Sequence, residues 1–132
     1  MDFNPLIFPA PQKGYSLTHP RLILIPKIPV EEIPQATLDG RSLGQLGIPC
    51  LFLPCDEPTS TLLVYFHANA EDVGLAEDFL RSLKDSLQAH VLAVEYPGYG
   101  EYPGSPSESQ INSDSEIVFD FLVQTMKIQE KC

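Results

Sequence analysis

The hydrophobic pattern changes character near residue 61. Upstream of it, Arg21–Ile28 (Arg-Leu-Ile-Leu-Ile-Pro-Lys-Ile) alternates weakly and predicts a strand, which Pro26 confines to a sheet edge. Residues 29–47 predict a loop or irregular hairpin, with Asp39-Gly40 as a turn signal, and Ile48–Leu53 predicts a second strand. Asp56–Ser60 reads as a turn. Downstream, Leu62-Leu63-Val64-Tyr65-Phe66 is a continuous apolar run, as expected of a strand buried on both faces. A helix should follow, with Leu75, Phe79, Leu83 and Leu87 as one apolar row, Ala76 and Leu80 as the next, and Asp72 as N-cap. Val91–Val94 predicts another short strand. A second helix should run from Ser107 to about Lys127, burying Ile117, Phe121, Val118, Leu122 and Met126. Ser113-x-x-Glu116 resembles a capping box but lies inside this stretch.

The order strand, strand, strand, helix, strand, helix implies an α/β fold with a mostly parallel sheet and an antiparallel start. The turn between Ile48–Leu53 and Leu62–Phe66 is too short for those two strands to be parallel neighbours. Ten of the thirteen prolines fall in residues 1–60, so residues 1–20 read as a Pro-rich surface arm and residues 21–132 as the folded unit.

Charge narrows the partners. Eight Lys and Arg against eighteen Asp and Glu give a net charge of -10, which disfavours nucleic acid and anionic lipid. The apolar runs are too short for a transmembrane helix, and no basic segment precedes an apolar run as in a signal peptide. The three cysteines then read as free thiols, and the chain as cytoplasmic. Cys50 and Cys55, without a nearby His, read as core residues rather than metal ligands. The sequence shows no metal cluster, phosphate-binding loop or other cofactor motif.

Two linked motifs carry candidate chemistry. Tyr65-Phe66-His67-Ala68-Asn69-Ala70-Glu71-Asp72 follows a predicted strand, and Glu95-Tyr96-Pro97-Gly98-Tyr99-Gly100 follows the next. Together they resemble the N-terminal half of an α/β-hydrolase, most nearly the serine-aminopeptidase-like or depalmitoylase-like serine hydrolases. The resemblance covers residues 62–127 well and residues 15–61 loosely. It implies hydrolysis of an ester, thioester or peptide, with no cofactor. It also implies that the backbone N–H near Asn69 or Ala70 faces the developing oxyanion. The residues alone equally allow a plain tight turn around His67–Ala70, with Asn69 capping a helix. Ala68 stands where the family usually has Gly, which would cost about 1 kcal/mol or more if that position requires positive φ. Gly98 and Gly100 permit a sharp turn, and Tyr96 and Tyr99 should pack over the sheet end. Glu95 takes the family's usual Asp position and is assigned no catalytic duty.

The family nucleophile sits in Gly-x-Ser-x-Gly after the next strand, with the acid and the base His later still. By the resemblance, Cys132 precedes that strand, so the triad is not expected within this chain. Gly40-Arg41-Ser42-Leu43-Gly44 matches the motif by letter, but no buried strand precedes it, and Gly47 and Pro49 should prevent a helix after it. Ser42 is therefore read as a decoy. His19, His67 and His90 are candidate bases only by elimination, and His90 is expected to close a helix. The family's strand order leaves Leu62–Phe66 as an open hydrophobic edge, which calls for a protein partner. Three roles follow: part of a serine hydrolase, a non-catalytic binding or structural subunit, or one half of a split enzyme.

Overall fold

The computed structural model describes residues 8–125. Four strands form one sheet: β1 (Leu22–Pro26), β2 (Gly47–Leu53), β3 (Leu62–Phe66) and β4 (His90–Val94), in the order β1-β2-β4-β3. β1 runs antiparallel to β2, with Leu24 opposite Pro49, and β2 antiparallel to β4, with Leu51 opposite Ala93. β3 and β4 are parallel, with Val64 opposite Leu92. The fold is α/β, as expected, but the sheet is mostly antiparallel rather than mostly parallel: β2 pairs antiparallel with β4 as well as with β1, and β3 with β4 is the one parallel pair among the described residues.

Helices lie on both faces. α1 (Ile33–Leu38) and α2 (Leu43–Leu46) precede β2, α3 (Glu77–Leu87) connects β3 to β4, and α4 (Glu108–Asp120) follows β4. Alternation along β2 and β4 divides the core. Ile48, Cys50, Leu92 and Val94 pack with Ile25, Tyr102 and Val118 on the α4 face. Leu51, Leu53, Val91 and Ala93 pack with Val73, Ala76 and Leu80 on the α3 face. β2 and β4 are thus the strands buried on both sides.

Several expectations are corrected. β3 is not buried on both faces as its apolar run predicted: it is the open edge that the resemblance implied, flanked only by β4, with Val64 39% and Phe66 44% exposed. Residues 29–47 are not a loop or hairpin: a 3₁₀ turn (Val30–Glu32) leads into α1 and α2. α3 starts at Glu77 rather than near Asp72; Leu80 and the N-cap Ala76 are buried, while Phe79 and Leu87, like Leu75 in the preceding turn, face outward. The apolar stem of Lys84 completes the inner row, and its ammonium reaches Asp56 (3.4 Å) and Asp85 (3.1 Å). Asp72 caps the turn ahead of the helix, its Oδ1 accepting from the Leu75 N–H at 2.8 Å. His90 opens β4 instead of closing a helix. α4 is capped by Ser107, whose Oγ accepts from the Gln110 N–H, and Ser113 and Glu116 lie within the helix. A π-helical turn (Phe121–Thr125) continues it. Met126 and Lys127 lie outside the described residues.

Candidate functional site

Parallel pairing of β3 with β4 places Phe66 opposite Val94, so the next residues, His67 and Glu95, emerge side by side at the carboxyl ends of both strands. Both side chains are wholly withdrawn from solvent, and His67 Nε2 lies 2.6 Å from Glu95 Oε1. The Glu95 N–H donates to the Pro49 carbonyl (3.0 Å), which anchors its backbone to β2.

The Glu95 carboxylate is a hub. Oε1 also accepts from the Tyr96 N–H (3.0 Å), and Oε2 accepts from the Tyr15 hydroxyl (2.7 Å) and the Val73 N–H (3.3 Å). These partners fill about the four acceptor positions a carboxylate offers, so the buried polar group is satisfied. On the other side of the ring, His67 Nδ1 donates to the Ala68 carbonyl at 2.9 Å, since a carbonyl can only accept. The Tyr96 hydroxyl donates to the His67 carbonyl at 2.7 Å. The Tyr96 and Tyr99 ring centroids lie 3.9 and 5.2 Å from that of His67. The expected packing of both tyrosines over the sheet end is therefore present. Burial, then the Glu95 charge, pushes the Tyr96 phenol up to about 12 and the Tyr15 phenol further still. The Tyr99 hydroxyl has no hydrogen-bond partner among the described residues.

The segment from Ala68 forms a tight turn. The Glu71 N–H donates to the Ala68 carbonyl (3.2 Å), and Glu71 Oε1 accepts from the Ala68 N–H (3.0 Å) and the Tyr65 hydroxyl (2.7 Å). Asn69 and Ala70 lie exposed at its tip. The turn does not open α3: a second turn intervenes, and the helix N-cap is Ala76, so Asn69 is not its cap. Among the described residues, Gln88 is the one non-glycine with positive φ, so the position of Ala68 does not require positive φ and the conditional strain does not arise. Gly98 (φ 84°) and Gly100 (φ 51°) do adopt left-handed conformations, as the second motif predicted. The Gly98 N–H closes that loop on the Tyr102 carbonyl at 2.9 Å.

Ser42 lies apart from this cluster. It caps α2 in a reciprocal box with Gln45, so a helical turn does follow it, though of only four residues. It lines a cleft of about 540 Å³ that no histidine lines among the described residues. The cation in that cleft, Lys27, is already engaged. Its Nζ donates to the Tyr102 hydroxyl and lies 3.5 Å from Asp114, while Tyr102 donates to Asp114 at 2.5 Å. Burial, then Asp114, raises the Tyr102 phenol. His19 pairs with Glu77 (2.6 Å), and His90 Nδ1 accepts from the Cys55 N–H (2.9 Å). Cys50 and Cys55 are free thiols, the former buried in the core.

Sequence reasoning missed Tyr15, Glu71 and the hub role of Glu95. An acid placed directly after an apolar strand was a usable signal for Glu95. Tyr15, eighty residues away from it, carried none.

Comparison with known proteins supplies the context. Protein bem46 of Schizosaccharomyces pombe is 36% identical over 75 residues, 56% of this chain and 25% of that protein. The chain is a relative of the α/β-hydrolase domain-containing proteins over about half its length. Human α/β-hydrolase domain-containing protein 17B is 30% identical over 72 residues, 54% of this chain and 25% of that protein. Mouse protein 17C is 29% identical over 83 residues, 63% and 26% respectively. The matched segment thus spans about a quarter of these relatives. No family model matches the chain. No helix among the described residues is long and apolar enough to cross a membrane.

Proposed function

We propose that residues 21–132 form the N-terminal half of a serine hydrolase domain acting on esters, thioesters or peptides, with the His67–Ala70 turn on its oxyanion side. The observation that carries this reading is the side-by-side emergence of two strand-end turns, bridged by His67 and Glu95, in a relative of α/β-hydrolases. A turn fixed by its neighbours before substrate arrives needs no reorganisation as charge develops on the carbonyl oxygen. In this reading, amides near Asn69 and Ala70 stabilise the oxyanion, and Tyr96, Gly98, Tyr99 and Gly100 shape the floor. The nucleophile, acid and base come from outside residues 1–132, so this chain alone is not catalytic. Ser42, engaged as a helix cap without a histidine beside it, is not the nucleophile. The setting is cytoplasmic.

Val64 and Phe66, exposed on the open β3 edge, support a second reading. There the same surface docks onto a further polypeptide, either as a non-catalytic subunit or as half of a split hydrolase.

Fluorophosphonate labelling of the protein isolated from its source tests both. The expected result is one labelled serine outside residues 1–132, unaffected by Ser42→Ala, and no labelling of the 132-residue chain alone. Labelling at Ser42 would overturn the reading. A native mass matching 132 residues, with label only on a co-purifying chain, would favour the split enzyme. The same mass with no label anywhere would favour the non-catalytic subunit.

A further inference from the structure

Residues 13–19 of the N-terminal arm are seated across the turns that follow β3 and β4. The Gly14 N–H donates to Asp72 Oδ2 at 2.7 Å, Lys13 pairs with Glu101 at 3.4 Å, and His19 pairs with Glu77. The seat is tight: a Cβ on Gly74 would lie 2.7 Å from the Gly14 carbonyl oxygen. From this seat the Tyr15 hydroxyl reaches inward, donating to Glu95 Oε2 and accepting from the Glu101 N–H at 3.2 Å.

We propose that Tyr15 is a positioning residue for the His67–Ala70 turn, acting through Glu95 and His67, so that the arm is part of the site. Its catalytic meaning rests on the hydrolase reading above; the coupling itself does not. The path is continuous and short: Tyr15 hydroxyl to Glu95 (2.7 Å), Glu95 to the His67 ring (2.6 Å), and the ring to the Ala68 carbonyl (2.9 Å). That carbonyl belongs to the peptide unit whose N–H is carried by Asn69. The other partner of Oε2, the Val73 N–H, is longer at 3.3 Å, so the phenol is the shorter of its two tethers. A buried carboxylate that loses a donor turns toward its remaining partners, and His67 moves with it. Positioning of this kind is worth rate rather than affinity, because amide placement matters most when the oxyanion forms.

Tyr15→Phe, made in the protein at its native length, removes one oxygen and keeps the ring. The Asn69 and Ala70 amide resonances should shift, and kcat on a hydrolysed ester should fall at least several-fold with KM unchanged. Glu31→Gln, exposed on the 3₁₀ turn before α1 and outside the arm and both motifs, should leave both readouts in place. Unmoved Asn69 and Ala70 amides would overturn the proposal, as would shifted amides with kcat intact. If the wild-type protein hydrolyses nothing, the hydrolase reading falls separately. The amides then decide alone: movement keeps the coupling, and constancy removes it.

Discussion

Gly100 approaches Tyr15 so closely that a Cβ placed on it would lie 2.5 Å from the Tyr15 hydroxyl oxygen. The same Cβ would lie 2.6 Å from Glu95 Oε2, in a backbone conformation (φ 51°) that L-residues rarely adopt. Gly100→Ala should therefore cost about 1–3 kcal/mol from backbone strain, and more from prying apart the hydrogen bond. In that background, further change to Phe at Tyr15 should cost less than it does alone, because the contact is already lost. Urea denaturation of the four proteins of this cycle measures both effects. Full additivity would contradict the close contact.

All five tyrosines of the chain have phenols raised by burial, with a neighbouring carboxylate adding to it. Below about pH 10 folded and unfolded chains both keep these protons, and no pH dependence arises. Above it the unfolded chain releases them first, so it binds fewer protons and stability falls as pH rises. Tyrosinate absorbance should therefore appear together with unfolding, in one cooperative alkaline transition. Gradual tyrosinate formation with an intact far-UV spectrum would contradict it.

Glu77 shows the opposite sign. Burial would raise its carboxyl, but hydrogen bonds from His19 and Arg81 outweigh that and hold it below the usual range. Its contribution is present above the ordinary carboxylate value near pH 4 and is lost as pH falls through the depressed native one. Glu77→Gln should lower stability at neutral pH and flatten the acid limb of the stability profile. Parallel profiles for the two proteins would mean that this pairing does not persist in solution.

Neighbouring residues on α3 should respond very differently to truncation. Leu80 is fully buried against β2 and β4, so Leu80→Ala should cost about 2–5 kcal/mol. Phe79 is 58% exposed and has one aromatic neighbour, Tyr65, at 6.1 Å, so Phe79→Ala should cost about 1 kcal/mol. Thermal melts of the two variants give the comparison, and equal losses would place the wrong row inward.

The α3 rows show where reading from pattern succeeds and where it stops. The helix itself was legible from apolar residues at spacings of three and four. Its inner face was not, because Leu75, Phe79, Leu83 and Leu87 outnumber Ala76 and Leu80, and a lysine completes the inner row. Lys84 lies inward because its stem packs while its ammonium reaches Asp56 and Asp85. The strands Ile48–Leu53 and Val91–Val94 were legible because local runs of apolar residues suffice to mark them. Burial of Leu62–Phe66 was overstated, since an apolar run reports composition and not how many strands flank it. At the site, Gly98 and Gly100 were found from the turn chemistry their positive φ requires. Tyr15 was hidden because its position is set by a tertiary contact across eighty residues.

That separation also orders events in time. During synthesis the arm leaves the ribosome before any residue that will hold it. Gly14 waits for Asp72, His19 for Glu77, and Tyr15 for Glu95. Contacts this distant in sequence form only after the intervening chain has closed, so Gly14, Tyr15 and His19 are among the last residues to settle. Until then His67 and Glu95 lack the phenol, and a nascent chain stalled before residue 95 would carry the turn without its tether.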